Sequence, residues 1–458
     1  MLSPSLTLTS SKPEYTVKNS PWFIKTAFPS PLIKNILEIL PSKTDRIIDN
    51  FSKLISNYKY LEYHILSVIK AQFFVQIVGG AFFLILNIFL AKNGFSDSEI
   101  AHFISFRFLA VMLLAFPLGF FIKGKILKPF LIIGCIGVPI VAIAVVISIQ
   151  NNLIDILPFL FVFWGILYTF FQVSVLPYIM RNTKEENQSH AIALSFATNS
   201  FGMIFSGLLI FLFDNLTSID NGQVLIIISC IGFVGLRFLY SLNTDNPVKN
   251  KVKSKKLFSS SLDWVLIMKA TIPTLIIAIG AGLTIPFINL FFFHNFLIDA
   301  SEFALIGSCT SLLVAFSSLF VPKVKSRFGY KKGITVSQSI AVFALIVLAT
   351  TEFFTDYWFA LPIALFCYLL RAPLMNLAAP MTSQLTMNYV GKNNQEMLSA
   401  IMAAIWSGSW YFSSQIFRYL IDLGYQYSYI FYLTAALYSF GVFSYYLLIL
   451  SYERKNLE

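Results

Sequence analysis

The sequence predicts an all-α integral membrane protein: twelve transmembrane helices in two six-helix bundles related by an internal repeat. Three observations carry this. First, 57% of the residues are hydrophobic and only 12% charged, with a mean hydropathy of +0.73. Soluble domains carry about 25% charged and about 45–50% apolar residues, so no single water-soluble core hides this much apolar surface. A soluble multidomain enzyme is excluded, and 48 Phe with 21 Tyr exclude a low-complexity or disordered chain. Second, the apolar residues gather into twelve stretches of roughly 20 residues, the length that crosses a bilayer. Third, positive charge falls on alternate connections between those stretches.

The chain begins with an extension, residues 1–70, that precedes any long apolar stretch. From Asp45 to Lys70 the residues Ile47, Ile48, Phe51, Leu54, Ile55, Tyr58, Leu61, Ile65 and Leu66 recur at threes and fours, with Lys53 and Lys59 among them. That spacing predicts an amphipathic helix on the inner membrane face, with docking of a partner as the alternative. No apolar run in the first 30 residues reads as a cleavable signal peptide.

Spans are expected at 71–91, 101–122, 129–149, 156–179, 191–213 and 223–242, an N-terminal bundle over 71–242. A basic cytoplasmic linker, 243–268, carries Lys249, Lys251, Lys253, Lys255 and Lys256. The remaining spans, 269–293, 303–321, 334–354, 358–389, 397–421 and 428–450, form a C-terminal bundle over 269–450, and 451–458 is a cytoplasmic tail.

Orientation follows from charge. One side collects nine Lys and Arg before the first span, then Lys123, Lys125, Lys128, Arg181, Lys184, the linker lysines, Lys323, Lys325, Arg327, Lys331, Lys332, Lys392, Arg454 and Lys455. The other holds Lys92 and ten acids: Asp97, Glu99, Asp155, Asp214, Asp220, Asp299, Glu302, Glu352, Asp356 and Asp422. Both termini are therefore expected in the cytoplasm of a multi-pass cell-membrane protein, a bacterial inner membrane fitting best. The net charge of +11 is then loop charge, and no nucleic-acid partner is expected. Cys135, Cys230, Cys309 and Cys367 lie singly in apolar runs without CxxC spacing and read as small buried hydrophobes.

The two halves share landmarks. GAFFLILN from Gly80 to Asn87 and GLTIPFIN from Gly282 to Asn289 have equal length; Ser98-Glu99 and Ser301-Glu302 follow at nearly equal distances. Leu157-Pro158 and Leu361-Pro362 open the fourth and tenth spans, and KEENQSHAIA from Lys184 is similar to KNNQEMLSAI from Lys392.

With GAGLTIPFINLFF from Gly280, PKVKSRFGYKKG from Pro322 and RAPLMNLAAP from Arg371, residues 71–450 resemble the major facilitator superfamily, most closely its bacterial permeases of unassigned substrate. The second segment is similar to that superfamily's loop between spans eight and nine. Arg327, Gly329 and Lys331 match its pattern, whereas Pro322, Ser326 and Tyr330 depart from it. The resemblance implies a transporter rather than an enzyme, working by alternating access between the two bundles as a monomer.

An ion in hydrocarbon costs about 2.5–3.5 kcal/mol even on the lenient insertion scale, so ionisable residues within spans are the first site candidates. All 22 acids fall in loops, tails or span ends. Two arginines lie inside: Arg107, about two turns into the second span, and Arg371, near the midplane of the tenth. At the matching repeat positions stand Thr310 and Leu167, so the scaffold itself requires neither cation. A guanidinium that grips carboxylate or phosphate is one reading; an arginine bracing the bundle through carbonyls is the other.

Gln72, Gln76, Asn87, Gln172, Asn289 and Asn376 complete the candidate substrate-binding set, with Asn199, Gln384 and Asn388 also facing inward. Gln72 and Gln76 share a helical face. Asn87 and Asn289 recur in both halves, which favours interhelical bonding. Trp164, Phe170, Phe171, Trp406, Trp410 and Tyr411 read as packing before stacking. Pro362, Pro373 and Pro380 interrupt the tenth span. His64, His102, His190 and His294 have no metal spacing, no GxxxxGK[ST] occurs, and no cofactor is expected. The expected function is secondary active or facilitative transport of a small organic solute, an anion on the evidence of the arginines, with an ion co-substrate left open. Efflux of amphipathic compounds, a membrane-embedded transferase acting on lipid, and a receptor or scaffold built on the extension are the alternatives.

Overall fold

The computed structural model describes residues 61–122, 125–216, 219–242, 263–391 and 395–455, and every regular element among them is helical. The helices are α1 (Tyr63–Lys92), α2 (Asp97–Phe121), α3 (Lys128–Gln150), α4 (Leu157–Asn182), α5 (Glu185–Leu216), α6 (Asn221–Gly232) and α7 (Val234–Tyr240). They continue as α8 (Trp264–Thr284), α9 (Ile288–Phe296), α10 (Ala300–Thr350), α11 (Ala360–Val390), α12 (Gln395–Asp422) and α13 (Tyr427–Lys455). Among the described residues, ten helical runs are long and apolar enough to cross a membrane, and large apolar side chains such as Phe159, Phe343, Phe366 and Phe440 stand exposed on the outside. Such a surface suits hydrocarbon, and the chain is a multi-pass membrane protein.

The element bounds differ from the sequence reading for local reasons. The first helix starts at Tyr63 rather than 71, because Ile65, Val68 and Ile69 are buried core residues continuous with the span. The rest of the expected amphipathic helix, 45–60, lies outside the described residues, as does 243–262 of the linker. Residues 264–268, expected in that linker, form the first turn of α8. The spans expected at 303–321 and 334–354 both fall in α10, which is two helices that meet at a kink at Gly329, φ 64° and ψ −173°. Lys and Arg are strong helix formers, so Lys323, Lys325 and Arg327 extend the first of these helices and Lys331 and Lys332 begin the second, which shortens the expected loop to the kink between them. Gly329 takes a left-handed φ that costs other residues strain, and the turn is made there. Between α8 and α9, Pro286 lacks an N–H and the ladder gives way to a 3-10 turn, Ile285–Phe287.

The described residues from Leu61 onward group as one compact unit. Within 63–240, α1 packs against α3, α5, α6 and α7, while α4 lies between α2 and α3. Within 264–455, α8 packs on α12 and α13, and α10 on α11 and α13. The two sets meet where α2 lies along α12 and α5 along α10.

Many acids at one end of the molecule are helix caps. Asp299 and Glu302 form a capping box at the start of α10, Glu302 accepting from the Asp299 amide at 3.0 Å. Glu99 accepts from the Ser96 amide at 2.9 Å before α2, and Asp220 accepts from Gln223 N at 2.7 Å before α6. Carboxylates satisfy orphan N–H groups and oppose the positive end of the helix dipole. The repeated Ser-Glu pair at 98–99 and 301–302 is thus a shared helix start. The connections at this acidic end, around 93–96, 151–156, 297–299, 351–359 and 423–426, face away from the basic end with its 125–128, 181–184 and 323–332 segments.

Candidate functional site

The tenth expected span supplies the centre of the site. Along α11 the residues Tyr368, Arg371, Met375, Thr382 and Thr386 recur at threes, fours and sevens, and this stripe lines a cavity of about 580 Å³. Its other walls are Thr274, Ile277 and Ala281 of α8, Thr310 and Gln338 of α10, Trp406 and Trp410 of α12, and Tyr438 and Tyr445 of α13. The N-terminal set contributes Phe83, Leu84 and Met203. The lining reaches Thr386, Met387 and Met402, close to the ends of α11 and α12 that face the basic end.

Arg371 is only 4% exposed. Its Nη2 donates to the Tyr438 hydroxyl at 3.0 Å, and the guanidinium carbon sits 5.6 Å from the Tyr438 ring centroid. Its Nε has no hydrogen-bond partner, nor do Trp410 Nε1 and Gln338 Oε1 on the same cavity. Among the described residues that line this cavity, Arg371 alone carries a formal charge. An opposite charge within reach is what a buried guanidinium otherwise takes; here the partner is a neutral hydroxyl. Thr274 and Tyr445 hydroxyls bond each other at 2.7 Å, and Asn376 lines the cavity while donating to the Ala372 carbonyl at 2.9 Å.

The other candidates are distributed differently. Arg107 lies with its guanidinium carbon 5.0 Å from the Trp164 ring centroid and 5.2 Å from that of Tyr168, a cation on two aromatic faces. It borders a second, small cavity of about 30 Å³ shared with Asn87 and Pro286. Gln172 donates to the Tyr168 hydroxyl at 2.8 Å, which in turn donates to Gln76 at 3.3 Å. Gln72 accepts from Ser195 at 2.7 Å. Asn87 donates to Asn289 Oδ1 at 3.0 Å and to the Pro286 carbonyl at 2.6 Å, and Asn289 donates to the Leu84 carbonyl at 3.1 Å. The structure therefore brings Arg371 and Asn376 to the large cavity, and Arg107 and Asn87 to the small one. Gln76 and Gln172 are joined through Tyr168, and Asn87 is joined to Asn289.

The asparagine pair belongs to a row of contacts between the two sets of helices toward the acidic end. Lys92 pairs with Asp299, and Asp97 meets both His294, at 3.0 Å, and the Tyr427 hydroxyl. Arg418 donates to His102 Nδ1 at 2.8 Å, and Gln415 donates to Ser105 at 2.6 Å. Ser308 donates to the Ile204 carbonyl at 3.1 Å. Beside it α5 and α10 approach so closely at Gly207 that an added Cβ would stand 3.0 Å from the Ala304 carbonyl carbon and nearer still to its oxygen.

Sequence reasoning did not single out Tyr438, Tyr445, Tyr368 or Gln338. Tyr438 and Tyr445 are seven apart on one helical face, a signal that was present but lost among 21 tyrosines. Thr310, noted only as the repeat counterpart of Arg107, lines the cavity.

The comparisons with known proteins agree with this architecture. Among curated proteins, no sequence matches the chain. The nucleoside transporter NupG, solved as a point mutant, is similar in structure, with a TM-score of 0.68 at 13% identity over 84% of this chain and 99% of that one. A bacterial homologue of the iron transporter ferroportin, in its inward-facing state, gives 0.67 at 12% identity over 84% and 98%. A D-xylose-proton symporter gives 0.63 at 12% identity over 83% and 95%. At such identities the likeness is one of fold. The family profile of the Major Facilitator Superfamily matches residues 69–414, and the chain belongs to that superfamily.

Proposed function

We propose that the protein is a secondary active or facilitative transporter that moves a small organic anion by alternating access between two six-helix bundles. One observation carries it: a cavity of about 580 Å³ is centred on a buried, charge-unpaired Arg371, beneath a row of contacts between the two sets of helices. A volume of this size suits a small organic ligand. In this reading the acidic end is sealed, the basic end is open, and the conformation is inward-open. The ferroportin homologue with which it shares its fold is likewise inward-facing.

Helix length supports twelve crossings. The 51 residues of α10 would span roughly 76 Å as one straight helix, more than twice a hydrocarbon core of about 30 Å. Gly329 divides it into two crossings. α12, with 28 residues, supplies the twelfth beside the ten apolar runs. Spans within 71–242 make the first bundle and those within 269–450 the second, with the 243–268 linker, the 1–70 extension and the 451–458 tail on the cytoplasmic side of a bacterial inner membrane. The charge asymmetry of the loops supports that orientation.

We assign Arg371 to the anion, with Asn376 beside it in the cavity. Arg107, Gln72, Gln76 and Gln172 organise the interior of the first bundle, and Asn87 with Asn289 close the acidic-end seal; any contact of these six with solute belongs to the other state. The test is thermal stabilisation of detergent-purified protein by a panel of anionic, cationic and neutral solutes, in the unaltered chain and in Arg371→Gln. Binding to the native state raises apparent stability. Selective stabilisation by anions, lost in Arg371→Gln, supports the assignment; stabilisation by cations, or by anions equally in both proteins, refutes it.

A further inference from the structure

Two helices that wall the central cavity have a second face turned away from it. On α13, Tyr438 and Tyr445 line the cavity, and Ser439 and Tyr446, one residue on, stand about 100° further round the helix. On α10, Gln338 lines the cavity and Ser339 follows it. Ser439, Phe443 and Tyr446 meet Ser339, Phe343 and Ile346 along a separate groove of about 420 Å³. Phe343, Ile346 and Phe443 are exposed, so the groove opens on the outer surface, where hydrocarbon lies. We propose that it binds an anionic phospholipid from the leaflet at the basic end, with an acyl chain in the groove and the phosphate at Lys331. The site is independent of the solute cavity and of the transport reading.

The dimensions fit one chain. The groove runs from Thr335 to Ile346, about 16 Å of helix, close to half of a hydrocarbon core about 30 Å thick. Its volume of about 420 Å³ over that length gives a cross-section of roughly 26 Å². A helix about 10–12 Å across with its side chains is too wide to enter, whereas a hydrocarbon chain is not. The hydroxyls do not make the wall wet. Thr335 donates to the Lys331 carbonyl at 2.6 Å and Ser439 to the Ala435 carbonyl at 2.8 Å, each within its own helix.

The charge lies at one end. Lys331 Nζ is 5.2 Å from the centroid of the Tyr446 ring, so an ammonium stands over a wall of the groove, with Lys332 next in the chain. The rings of Tyr330 and Tyr452 are 6.2 Å apart, which brings the end of α13, with Arg454, beside the same turn. No acid occurs from 323 to 335, and from 446 to 455 the one acid is Glu453. Among the described residues, Lys331, Lys332 and Arg454 form no ion pair. Tyrosines at this depth mark the headgroup level. Three cations against one carboxylate complement a phosphate, and basic sites between spanning helices hold anionic headgroups.

The test measures binding of the first phospholipid to the full chain in detergent by native mass spectrometry. Dioleoyl phosphatidylglycerol and dioleoyl phosphatidylcholine share their chains and differ in net charge. The anionic lipid is expected to bind roughly tenfold more tightly, from two or more cations near a membrane surface. Lys331→Gln should weaken the anionic lipid about fivefold, the effect of one such cation, and leave the zwitterionic one unchanged. Ser339→Phe fills the groove from its own wall and should weaken both lipids. Lys184→Gln, at the basic end of the first set of helices, should change neither. All three positions are exposed, so the substitutions leave the core packing intact.

Equal binding of the two lipids, a preference that persists in Lys331→Gln, or an equal loss in Lys184→Gln overturns the headgroup site. Unchanged binding in Ser339→Phe overturns the acyl groove and leaves an ordinary annular lipid. Displacement of phosphatidylglycerol by an equal concentration of glycerol phosphate overturns the lipid assignment in favour of a free anion.

Discussion

Adding one methyl group at Gly207 should bias the protein toward the state open at its acidic end. Gly207 on α5 faces Ala304 and Ser308 on α10, and an alanine Cβ there would stand 3.0 Å from the Ala304 carbonyl carbon and closer to the carbonyl oxygen and Ser308 Oγ. Ser308 can rotate away at the loss of its bond to the Ile204 carbonyl; the Ala304 backbone cannot. Non-bonded carbons rest at about 3.5–4.0 Å, so the helices must part by roughly 0.5–1 Å. Forcing an extra methyl into a packed contact costs about 1–3 kcal/mol. That cost falls on the closed acidic end and is relieved where the bundles separate, so Gly207→Ala should raise the open-to-closed ratio about 5–150-fold. Spin labels at Leu153 and Trp358, exposed at 52% and 87% near the acidic end, would report it in a background lacking the four native cysteines. A longer distance population in Gly207→Ala is the expected result. An unchanged distribution in a folded variant would mean that α5 and α10 do not separate during the cycle, and the reasoning would fail.

Asn87→Ala removes two hydrogen bonds across the same seal, to Asn289 and the Pro286 carbonyl; at about 0.5–1.5 kcal/mol each, it should shift the same distance distribution in the same direction by about tenfold. Lys92→Gln breaks an ion pair whose partners are 37% and 45% exposed, and since such pairs contribute about 0–1 kcal/mol, its distribution should stay close to that of the unaltered protein. Arg371→Lys should restore only part of the anion binding lost in Arg371→Gln, because an ammonium keeps the charge without the guanidinium fork; thermal shift with the stabilising anions of the solute panel measures both. Single cysteines at Lys332 and Leu153 should react with an impermeant thiol reagent from the cytoplasmic and external faces respectively, and labelling of 332 from outside would invert the orientation.

Much of the fold was legible because bilayer thickness imposes a length that composition reveals. Helix ends were less so: nothing in the pattern of 303–354 distinguishes a loop from a helix interrupted at one glycine, since Lys and Arg serve both. The acids at 97–99 and 299–302 read equally as external loop charge and as helix caps, and only the amide contacts separate the two. Arg371 was readable as an isolated cation near a midplane, but its partner Tyr438 is 67 residues away and no local spacing joins them. By sequence Arg107, about two turns into its span, was a second anion candidate behind Arg371 near the midplane. The structure distinguishes them by surroundings: Arg107 lies against Trp164 and Tyr168 beside a cavity of about 30 Å³, whereas Arg371 fronts one of about 580 Å³. The polar chain from Gln172 through Tyr168 to Gln76 needed the crossing of α1 and α4, which sequence periodicity does not supply.

Access that alternates between the two ends requires the distances at those ends to change in opposite senses, and paired distances measured at both ends test this. One label pair, Leu153 and Trp358, spans the acidic end; a second, Tyr240 and Lys332, spans the basic end. Two reciprocal populations are expected: conditions that lengthen the first distance shorten the second, and Gly207→Ala moves both in opposite directions. Distances that stay fixed at both ends, or that lengthen together, would contradict alternating access by this chain.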